Sequence, residues 1–301
     1  MAAQQIAMIG LGKMGFNLAL NLKQKGLEVI AFDTNQQLRK EISKQEIITA
    51  ESLKDTCSKF SLQKIIWLMV PSGETVDKVI EELLPYLQEN DIIIDGGNSF
   101  YKDSVRRYAY LKQRKIHFLD CGTSGGQDGA LNGACTMIGG DKDIYESIQN
   151  VFDKISVANG SLYAGKAGSG HFIKMIHNGI EYGMMQSIAE GFEVLQRSDY
   201  DADFEKVATL FNHGSVIRGW LMELTQSAFS KDAKLETIKG VMHSSGEGKW
   251  TMETALELGV PTPVIALSVM MRYRSQTEDT FSGKIVAALR NEFGGHAVEK
   301  K

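Results

Sequence analysis

Residues 6–15 read Ile6-Ala7-Met8-Ile9-Gly10-Leu11-Gly12-Lys13-Met14-Gly15, an apolar run followed by glycines in the spacing GxGxxG. Apolar residues then recur at helical spacing until Gly26, and a second apolar run, residues 28–32, ends at Asp33. This order predicts a strand, a glycine turn, a helix that Gly26 ends, and a second strand. Glycines in such a turn let the backbone approach a pyrophosphate at the helix N-terminus, and an acid after the second strand binds a ribose hydroxyl. The stretch therefore predicts a dinucleotide site.

The predicted dinucleotide-binding residues are Asp33 and the whole glycine turn, namely Gly10, Leu11, Gly12, Lys13, Met14 and Gly15. The carboxylate of Asp33 would repel the 2′-phosphate of NADP, and neither Thr34 nor Asn35 supplies a cation. The nearest basic residues, Arg39 and Lys40, are expected on the next helix. The sequence therefore predicts NAD rather than NADP as the cofactor.

The composition of the chain limits the class of protein. Its 301 residues, of which 43% are hydrophobic, can bury one large core or two of ordinary size. A net charge of −4 provides no basic surface for nucleic acid, although a small anionic substrate needs only a local cluster of cations. The three cysteines have no CxxC spacing, which indicates free thiols in a reducing compartment. Since neither a basic leader nor a long apolar run opens the chain, we expect a cytoplasmic protein without a signal peptide or membrane span.

Short apolar runs continue to alternate with helical patterns in the first half of the chain. Strands are predicted over residues 64–70, 92–94, 117–119 and 134–138. Near-continuous apolar strands are typical of a parallel sheet covered on both faces. After residue 165 the strand signals stop, and helices are predicted over 168–196, 203–212, 216–227, 252–258 and 262–290. We therefore predict an α/β fold in which an N-terminal Rossmann-type doubly wound sheet, residues 1–165, is followed by an all-helical C-terminal domain, residues 166–301.

Two glycine-rich loops follow predicted strands of the first domain. Their sequences are Asp95-Gly96-Gly97-Asn98-Ser99 and Cys121-Gly122-Thr123-Ser124-Gly125-Gly126. Ligands of open α/β sheets bind beyond the carboxyl ends of the strands. A tight turn would explain either loop alone, but both loops beside a dinucleotide motif predict the rim of an active site.

The first helix of the second domain carries the densest polar chemistry in the chain. Its polar stripe comprises His171, Lys174, Asn178, Glu181 and Tyr182, whose spacing places them on one face. A solvated surface face would give the same pattern, but the residues around the stripe are apolar, which predicts burial on those sides. Burial lowers the pKa of an amine and raises that of a carboxyl group, which prepares one base and one acid near neutral pH. We predict Lys174 as the base and Glu181 as the acid.

Metal chemistry has no support in the sequence. His117, His213 and His243 have no partner at metal-ligand spacing. A protonated lysine can polarise a carbonyl without a metal ion. No metal site is predicted.

These residues together resemble a known family, the decarboxylating 6-phosphogluconate dehydrogenases within the β-hydroxyacid dehydrogenase group, over nearly the whole chain. The Ser-Gly-Gly loop and the spacing from Lys174 to Asn178 are shared by the wider group, whereas Gly170-His171-Phe172 and Glu181-Tyr182 resemble the phosphogluconate enzymes in particular. The motifs are Gly10 to Gly15, Asp95-Gly96-Gly97-Asn98-Ser99-Phe100-Tyr101-Lys102-Asp103, Ser124-Gly125-Gly126 with Gly129-Ala130, Gly170 to Tyr182, and Gly248-Lys249-Trp250-Thr251.

The resemblance implies roles for individual residues. Lys174 would take the proton of the substrate C3 hydroxyl during hydride transfer and return a proton to the carbonyl oxygen while carbon dioxide leaves. Glu181 would protonate C1 of the enediol, and the product would be ribulose 5-phosphate. Val70 would line the cofactor site. The substrate, a phosphorylated sugar acid, would contact Asn98 (which would also touch the nicotinamide), Ser124, Gly125, Gly126, His177, Asn178 and Tyr182.

The resemblance also implies cations for the substrate phosphate. Arg272 matches one phosphate-binding position of the family. Arg290 and His296 match two others, which in the family belong to the tail of the partner subunit. We therefore expect a homodimer or a higher homo-oligomer with shared sites. An unphosphorylated acid, as used by dehydrogenases of the 3-hydroxyisobutyrate type, has no use for these cations. That activity is the alternative prediction, and a dinucleotide-binding regulator without turnover is a third, which would need no Lys174–Glu181 pair.

The chain departs from the family in two respects. A phosphate-binding Lys and Thr of the familiar enzymes are replaced by Ser245 and Glu247, and an acid near a phosphate is unfavourable unless it points away. Lys249 is a possible substitute cation. The chain also lacks room for the duplicated helical region of the long enzymes, so it resembles the short form, which is often NAD-linked.

Overall fold

A computed structural model describes residues 4–300 of the chain, which divide into one compact unit up to His177 and a second from Asn178. The strands of the first unit are β1 (Gln5–Ile9), β2 (Glu28–Phe32), β3 (Ile48–Thr49), β4 (Ile65–Leu68), β5 (Ile92–Asp95), β6 (His117–Ser124), β7 (Ala134–Gly139) and β8 (Ser156–Gly165). Its helices are α1 (Lys13–Gln24), α2 (Gln36–Ser43), α3 (Leu53–Ser58), α4 (Glu74–Leu83) with a 3-10 turn (Leu84–Tyr86), α5 (Tyr101–Lys112), α6 (Gly126–Asn132) and α7 (Lys142–Ile155).

The strands of residues 4–300 form one sheet in the order β3-β2-β1-β4-β5-β6-β7-β8. Successive residues of β1 alternate between two apolar cores, with Ile6 and Met8 in one and Ala7 and Ile9 in the other. Helices therefore cover both faces of the sheet, as the sequence predicts. The strand order reverses between β1 and β4, which is the point where doubly wound sheets bind their ligands.

Helix α1 ends as its sequence predicts. Gly26 has a φ of +82°, its N–H donates to the carbonyl of Lys23, and the N–H of Leu27 donates to the carbonyl of Leu22. This pair of bonds is a Schellman motif, which satisfies the last carbonyls of the helix and turns the chain into β2. The predicted strand from Glu28 to Phe32 is confirmed with the same bounds.

The sheet is not parallel throughout, which corrects one expectation. β1 to β6 pair in parallel, but β7 runs antiparallel to β6. Only nine residues, Gly125, the seven residues of α6 and Gly133, separate the two strands, and a parallel crossover needs a dozen residues or more. Positive φ angles at Gly125 and Gly133 begin and end this short connection.

The second unit, from Asn178 onward, is helical. It contains the rest of α8 (Ser169–Arg197), together with α9 (Phe204–Asn212), α10 (Trp220–Lys231), α11 (Glu247–Glu257), α12 (Pro263–Ser275) and α13 (Phe281–Gly294). Phe192, Ala208, Met222 and Phe229 form a core between α8, α9 and α10. The predicted domain boundary at residue 165 coincides with the last residue of β8, and it stays a prediction.

The prediction of a single helix over residues 262–290 is wrong. Helix α12 ends at Ser275, and Asp279 takes a φ of +49°, which a continuing helix does not allow. Thr280 then caps a new helix, because its hydroxyl oxygen accepts a hydrogen bond from the N–H of Gly283 at 3.2 Å. The sequence lacks a Gly or Pro at this point, so the break is not marked by the usual signals.

The three cysteines are unpaired, which confirms the prediction of free thiols. Cys57 and Cys121 are buried and Cys135 is exposed. Burial raises the pKa of the Cys57 thiol to about 11 and raises the pKa of Cys121 further still.

Candidate active site

The glycine turn after β1 contains two glycines that the fold requires and one that it does not. Side chains at Gly10 and Gly15 would overlap the carbonyl of Met69 and that of Gly10, respectively. At Gly12, by contrast, no described atom beyond its own turn and helix lies within 4 Å of the position that a Cβ would take. No side chain of the described residues caps the first turn of α1 either. The open space at Gly12 and the free helix end fit a pyrophosphate group.

Asp33 lies at the carboxyl end of β2 and faces the glycine turn. Its Oδ2 accepts a hydrogen bond from the N–H of Leu11 at 2.6 Å, and its Oδ1 accepts one from the N–H of Asn35 at 2.7 Å. The carboxylate is thereby held in one orientation, and each oxygen keeps a lone pair for a further donor. This geometry fits a ribose of a dinucleotide.

The loop after β5 lies beside the glycine turn. Val70 contacts both, because a methyl group added at Gly10 would lie 3.2 Å from Val70 Cγ1, and one added at Gly97 would lie 3.0 Å from the Val70 carbonyl oxygen. Asn98, the predicted contact of both nicotinamide and substrate, is exposed in this loop. The two predicted cofactor residues Val70 and Asn98 thus lie at the same edge of the sheet as Gly10.

A buried arginine that the sequence analysis missed holds this loop. Arg107 of α5 is 1% exposed and donates to Asp95 Oδ2 at 3.3 Å, to Asp77 Oδ1 at 2.8 Å and to the carbonyl of Gly73 at 2.9 Å. Asp95 also accepts hydrogen bonds from Ser99 Oγ and the N–H of Gly97. Arg107 therefore positions the loop that carries Asn98. Its position in an otherwise polar helix gave no signal of burial.

The same hydrogen-bond network lowers the pKa of Asp77 in α4. Burial alone would raise the pKa of Asp77, but hydrogen bonds from Arg107 and Arg106 hold the pKa below its usual value. The carboxylate therefore stays ionised at neutral pH and balances the guanidinium of Arg107.

The start of α8 packs directly on β6. A side chain at Gly122 of β6 would overlap Cβ of Lys174, and would lie 2.9 Å from the carbonyl oxygen of Gly170. Asp120, fully buried in the same strand, accepts hydrogen bonds from the N–H groups of Gly168 (2.6 Å) and His171 (2.9 Å). Its carboxylate caps the N-terminus of α8 and so fixes the height of Lys174 above the strand.

The loop after β6 is joined to the same helix. Ser124 Oγ lies 3.1 Å from His177 Nε2, and Gly125 and Gly126 follow Ser124 with positive φ angles of 115° and 60°. Because β5 and β6 are parallel neighbours, the loops that follow them meet at one edge of the sheet. The first unit thus brings together, at this edge, the predicted residues Asn98, Ser124, Gly125, Gly126, Lys174 and His177.

The polar stripe of α8 is buried and part of its apolar surroundings is not. His171, Lys174 and Asn178 are 1%, 7% and 8% exposed, whereas Ile180 and Met184 are 53% and 50% exposed. Tyr182 is buried as well, whereas Glu181 is only partly buried. The expected burial of the apolar residues around the stripe is wrong for Ile180, for Met184 and for Ile173, which is 36% exposed. Their face of the helix is left uncovered by the described chain.

In the second unit Tyr182 lies between Gly248 and Arg272. The guanidinium carbon of Arg272 is 3.6 Å from the centroid of the Tyr182 ring, and its Nη1 donates to the carbonyl of His243 at 2.7 Å. A methyl group added at Gly248 would lie 2.6 Å from the same ring. The ring therefore orients Arg272, which is one of the predicted phosphate ligands.

Glu247, which departs from the family pattern, is buried at the start of α11. It is 2% exposed, and its Oε2 accepts a hydrogen bond from Ser245 Oγ at 2.6 Å. Its Oε1 is buried without a hydrogen-bond partner among the described residues. Lys249 pairs with Glu253 at 3.5 Å on the outer surface of the helix. The proposed substitution of Lys249 for the missing cation gains no support from this pairing.

The last helix presents an apolar stripe to solvent. Every residue of α13 is exposed, and Phe281, Ile285, Leu289 and Phe293 recur every four residues on one side of it. Arg290 and His296 are exposed at its end, where the N–H of His296 donates to the carbonyl of Arg290.

The predicted site residues fall in both units. Lys174 and His177 belong to the first unit, and Asn178, Glu181, Tyr182, Arg272, Arg290 and His296 belong to the second. Within residues 4–300 no group of three His, Cys, Asp or Glu side chains could hold a metal ion. No helix in that range is both long and apolar enough to cross a bilayer.

Comparisons with known proteins match both units. Residues 5–165 match the family model for the NAD binding domain of 6-phosphogluconate dehydrogenase, and residues 170–285 match that for its C-terminal domain. YqeC of Bacillus subtilis, named only provisionally as a 6-phosphogluconate dehydrogenase, is 57% identical over 99% of this chain and 100% of its own length. An NAD(+)-dependent, decarboxylating 6-phosphogluconate dehydrogenase of Haloferax volcanii is 40% identical over 99% of both chains. The 6-phosphogluconate dehydrogenase of Plasmodium falciparum superposes with a TM-score of 0.83 at 29% identity, covering 99% of this chain and 66% of its own.

Proposed function

Because the chain belongs to the 6-phosphogluconate dehydrogenase family, we propose that it oxidises and decarboxylates 6-phospho-D-gluconate to D-ribulose 5-phosphate and carbon dioxide, with NAD as hydride acceptor. The observation that carries the proposal is the buried Lys174, held against Gly122 of β6 beside the loop of Ser124. Lysine side chains generally extend into solvent, so a buried lysine at the edge of the sheet where ligands bind suits a catalytic role.

The choice of NAD rests on Asp33. The Haloferax relative is named NAD(+)-dependent, but the Plasmodium structure is described with NADP+, so similarity alone supports either cofactor. A carboxylate anchored by two backbone N–H groups favours a free 2′-hydroxyl and repels a 2′-phosphate. We therefore propose NAD as the preferred cofactor. The expected cytoplasmic location stays a prediction.

The residues of the chain then take the following roles. Bound NAD would accept the hydride from C3 of the sugar acid. Neutral Lys174 takes the proton of the C3 hydroxyl as the C3 carbonyl forms, and the resulting lysine ammonium returns it to the C3 oxygen as the bond from C1 to C2 breaks. The electron pair of that bond forms the enediol while carbon dioxide leaves. Glu181 then protonates the former C2, which becomes C1 of the product. Substrate contacts are assigned to Asn98, Ser124, Gly125, Gly126, His177, Asn178 and Tyr182.

A comparison of three acids tests the substrate. Reduction of NAD is followed with 6-phosphogluconate, with gluconate and with 3-hydroxyisobutyrate. The proposal expects kcat/KM to be greatest for the phosphorylated acid by a wide margin. A preference for 3-hydroxyisobutyrate would instead support the alternative activity, and reduction with none of them would leave a binding protein without turnover.

Arg272 is predicted to bind the substrate phosphate. We expect Arg272→Gln to raise KM for 6-phosphogluconate about thirtyfold, the size of a lost charge-assisted hydrogen bond, with a smaller change in kcat. The control is Arg274→Gln on the same helix, whose guanidinium donates to the carbonyl of Thr277. Equal effects of the two variants on KM would contradict a specific phosphate contact.

We propose that the partner protein is a second copy of this chain. The four exposed apolar residues of α13 line one side of that helix, and Ile180 and Met184 of α8 are exposed as well. Exposed apolar faces of this kind are typical of protein–protein interaction sites. A symmetric homodimer or higher homo-oligomer would cover it and would deliver Arg290 and His296 to the neighbouring site.

Subunit exchange tests the shared site. If Arg290 serves the partner's site, a mixture of inactive Lys174→Met and Arg290→Gln proteins regains about a quarter of the wild-type sites after random exchange into dimers. A mixture of Lys174→Met with Glu181→Gln is the control, since both changes lie in the body of the subunit and restore nothing. Confirmed exchange without recovery in the first mixture would contradict the shared tail.

A further inference from the structure

An arginine side chain reaches the turn that follows β2, beside the predicted ribose site. Arg39 comes from α2, but its guanidinium returns to the end of β2, where Nη1 donates to the carbonyl of Asp33 at 2.7 Å and to that of Thr34 at 3.3 Å. The side chain is only 12% exposed. An arginine in this position is the usual ligand for the 2′-phosphate of NADP. The presence of Arg39 therefore works against the preference that Asp33 gives.

Glu51 neutralises this arginine. Arg39 Nη2 lies 2.8 Å from Glu51 Oε2, and the backbone N–H of Glu51 donates to Asp55 Oδ2 at 2.9 Å, which fixes the start of the loop before α3. The guanidinium also lies 5.9 Å from the centre of the Phe32 ring. Three of the five N–H donors of Arg39 are thus used, two by backbone carbonyls and one by the carboxylate, and the buried Nε–H has no partner among the described residues. The charge of the guanidinium is balanced by Glu51.

We propose that Glu51 is a second determinant of the choice of NAD over NADP, acting by holding and neutralising Arg39. The inference rests on the proposed binding of a dinucleotide and deepens it. Asp33 repels a 2′-phosphate directly, whereas Glu51 neutralises a nearby positive charge, that of Arg39, which would attract it. Asp33, Arg39 and Glu51 together therefore present a net negative charge to the 2′ position, although an arginine lies beside it.

An ordinary structural ion pair is the competing explanation. Glu51 is 76% exposed, and ion pairs with one exposed partner generally contribute little to the free energy of unfolding. Such a pair would affect the two dinucleotides equally, because NADH and NADPH share every group except the 2′-phosphate. The ratio of the two affinities therefore separates a selective role from a structural one.

The test measures the dissociation constants of NADH and NADPH by nicotinamide fluorescence without any sugar acid. Glu51→Gln is expected to lower the ratio of the NADPH constant to the NADH constant about tenfold, the effect of one unbalanced charge at a partly exposed site. Arg39→Gln is expected to raise the ratio, and the double variant to return it near the wild-type value. Glu46→Gln, which removes an acid paired with Lys23 at 3.1 Å, is the control and leaves the ratio unchanged.

Three results would overturn the inference: a ratio that Glu51→Gln leaves unchanged, a lowered ratio that persists when Arg39 is also replaced, or wild-type protein that binds NADPH as tightly as NADH. Failure of the proposed reaction is a separate outcome. If 6-phosphogluconate is not oxidised but the ratio moves as expected, the inference stands and the substrate assignment fails. If neither dinucleotide binds, both fail.

Discussion

Lys174→Met lowers kcat for 6-phosphogluconate oxidation about a thousandfold, in the range expected for loss of a general acid and base. Methionine has nearly the length of lysine and suits a side chain that is 7% exposed, so the packing of α8 on β6 is kept. The dissociation constant for NADH is expected to stay within about twofold, because only the proton transfer is removed. Steady-state kinetics and nicotinamide fluorescence provide the two measurements.

The matched control is Lys166→Met, eight residues earlier and exposed at the end of the sheet. It removes the same charge from the same protein and is expected to leave kcat near its wild-type value. If Lys174→Met retained most of the wild-type rate while binding NADH normally, another residue would be the base.

Gly12→Ala is expected to lose NADH binding but not stability, and Gly15→Ala is expected to lose stability. Beyond its own turn and helix, nothing in the described chain lies within 4 Å of a methyl group at Gly12, and the φ of −60° there suits alanine. That variant therefore keeps its melting temperature, but the methyl group projects into the space assigned to the pyrophosphate and weakens NADH binding about a hundredfold, roughly the loss of two charge-assisted hydrogen bonds. At Gly15 the methyl group overlaps the carbonyl of Gly10, which costs about 3 kcal/mol of folding free energy.

Thermal unfolding without ligand and NADH titration separate the two effects, and each variant serves as the control for the other. A plain structural turn would make only Gly15→Ala unstable and would leave neither variant selectively deficient in NADH binding. Unimpaired NADH binding by a stable Gly12→Ala protein would place the dinucleotide elsewhere.

The sequence predicts best where local chemistry determines the structure. The glycine turn, the end of α1 at Gly26 and the strand that ends before Asp33 are each specified by residues within a few positions, and the structure has them as predicted. The Lys174 helix was also identifiable, because apolar residues next to its polar stripe indicated burial, and Lys174 is indeed buried.

Long-range partners could not be found in the same way. Nothing in the surroundings of Arg107 in the chain indicates that it contacts Asp95 and Gly73, since those contacts depend on how α5 packs. The pairing of Arg39 with Glu51 likewise joins helix α2 to the loop before α3, and these two segments come together only in the folded protein. The antiparallel direction of β7 follows from the short connection between β6 and β7, which leaves no room for a parallel crossover.

The most direct test of the proposed reaction is the stoichiometry of its products. The protein is mixed with 6-phosphogluconate labelled at C1 and with NAD, and both NADH and labelled carbon dioxide are measured in the same reaction. The account predicts one carbon dioxide for each NADH throughout the time course, and a slower rate when NADP replaces NAD. Sustained formation of NADH without carbon dioxide would contradict it.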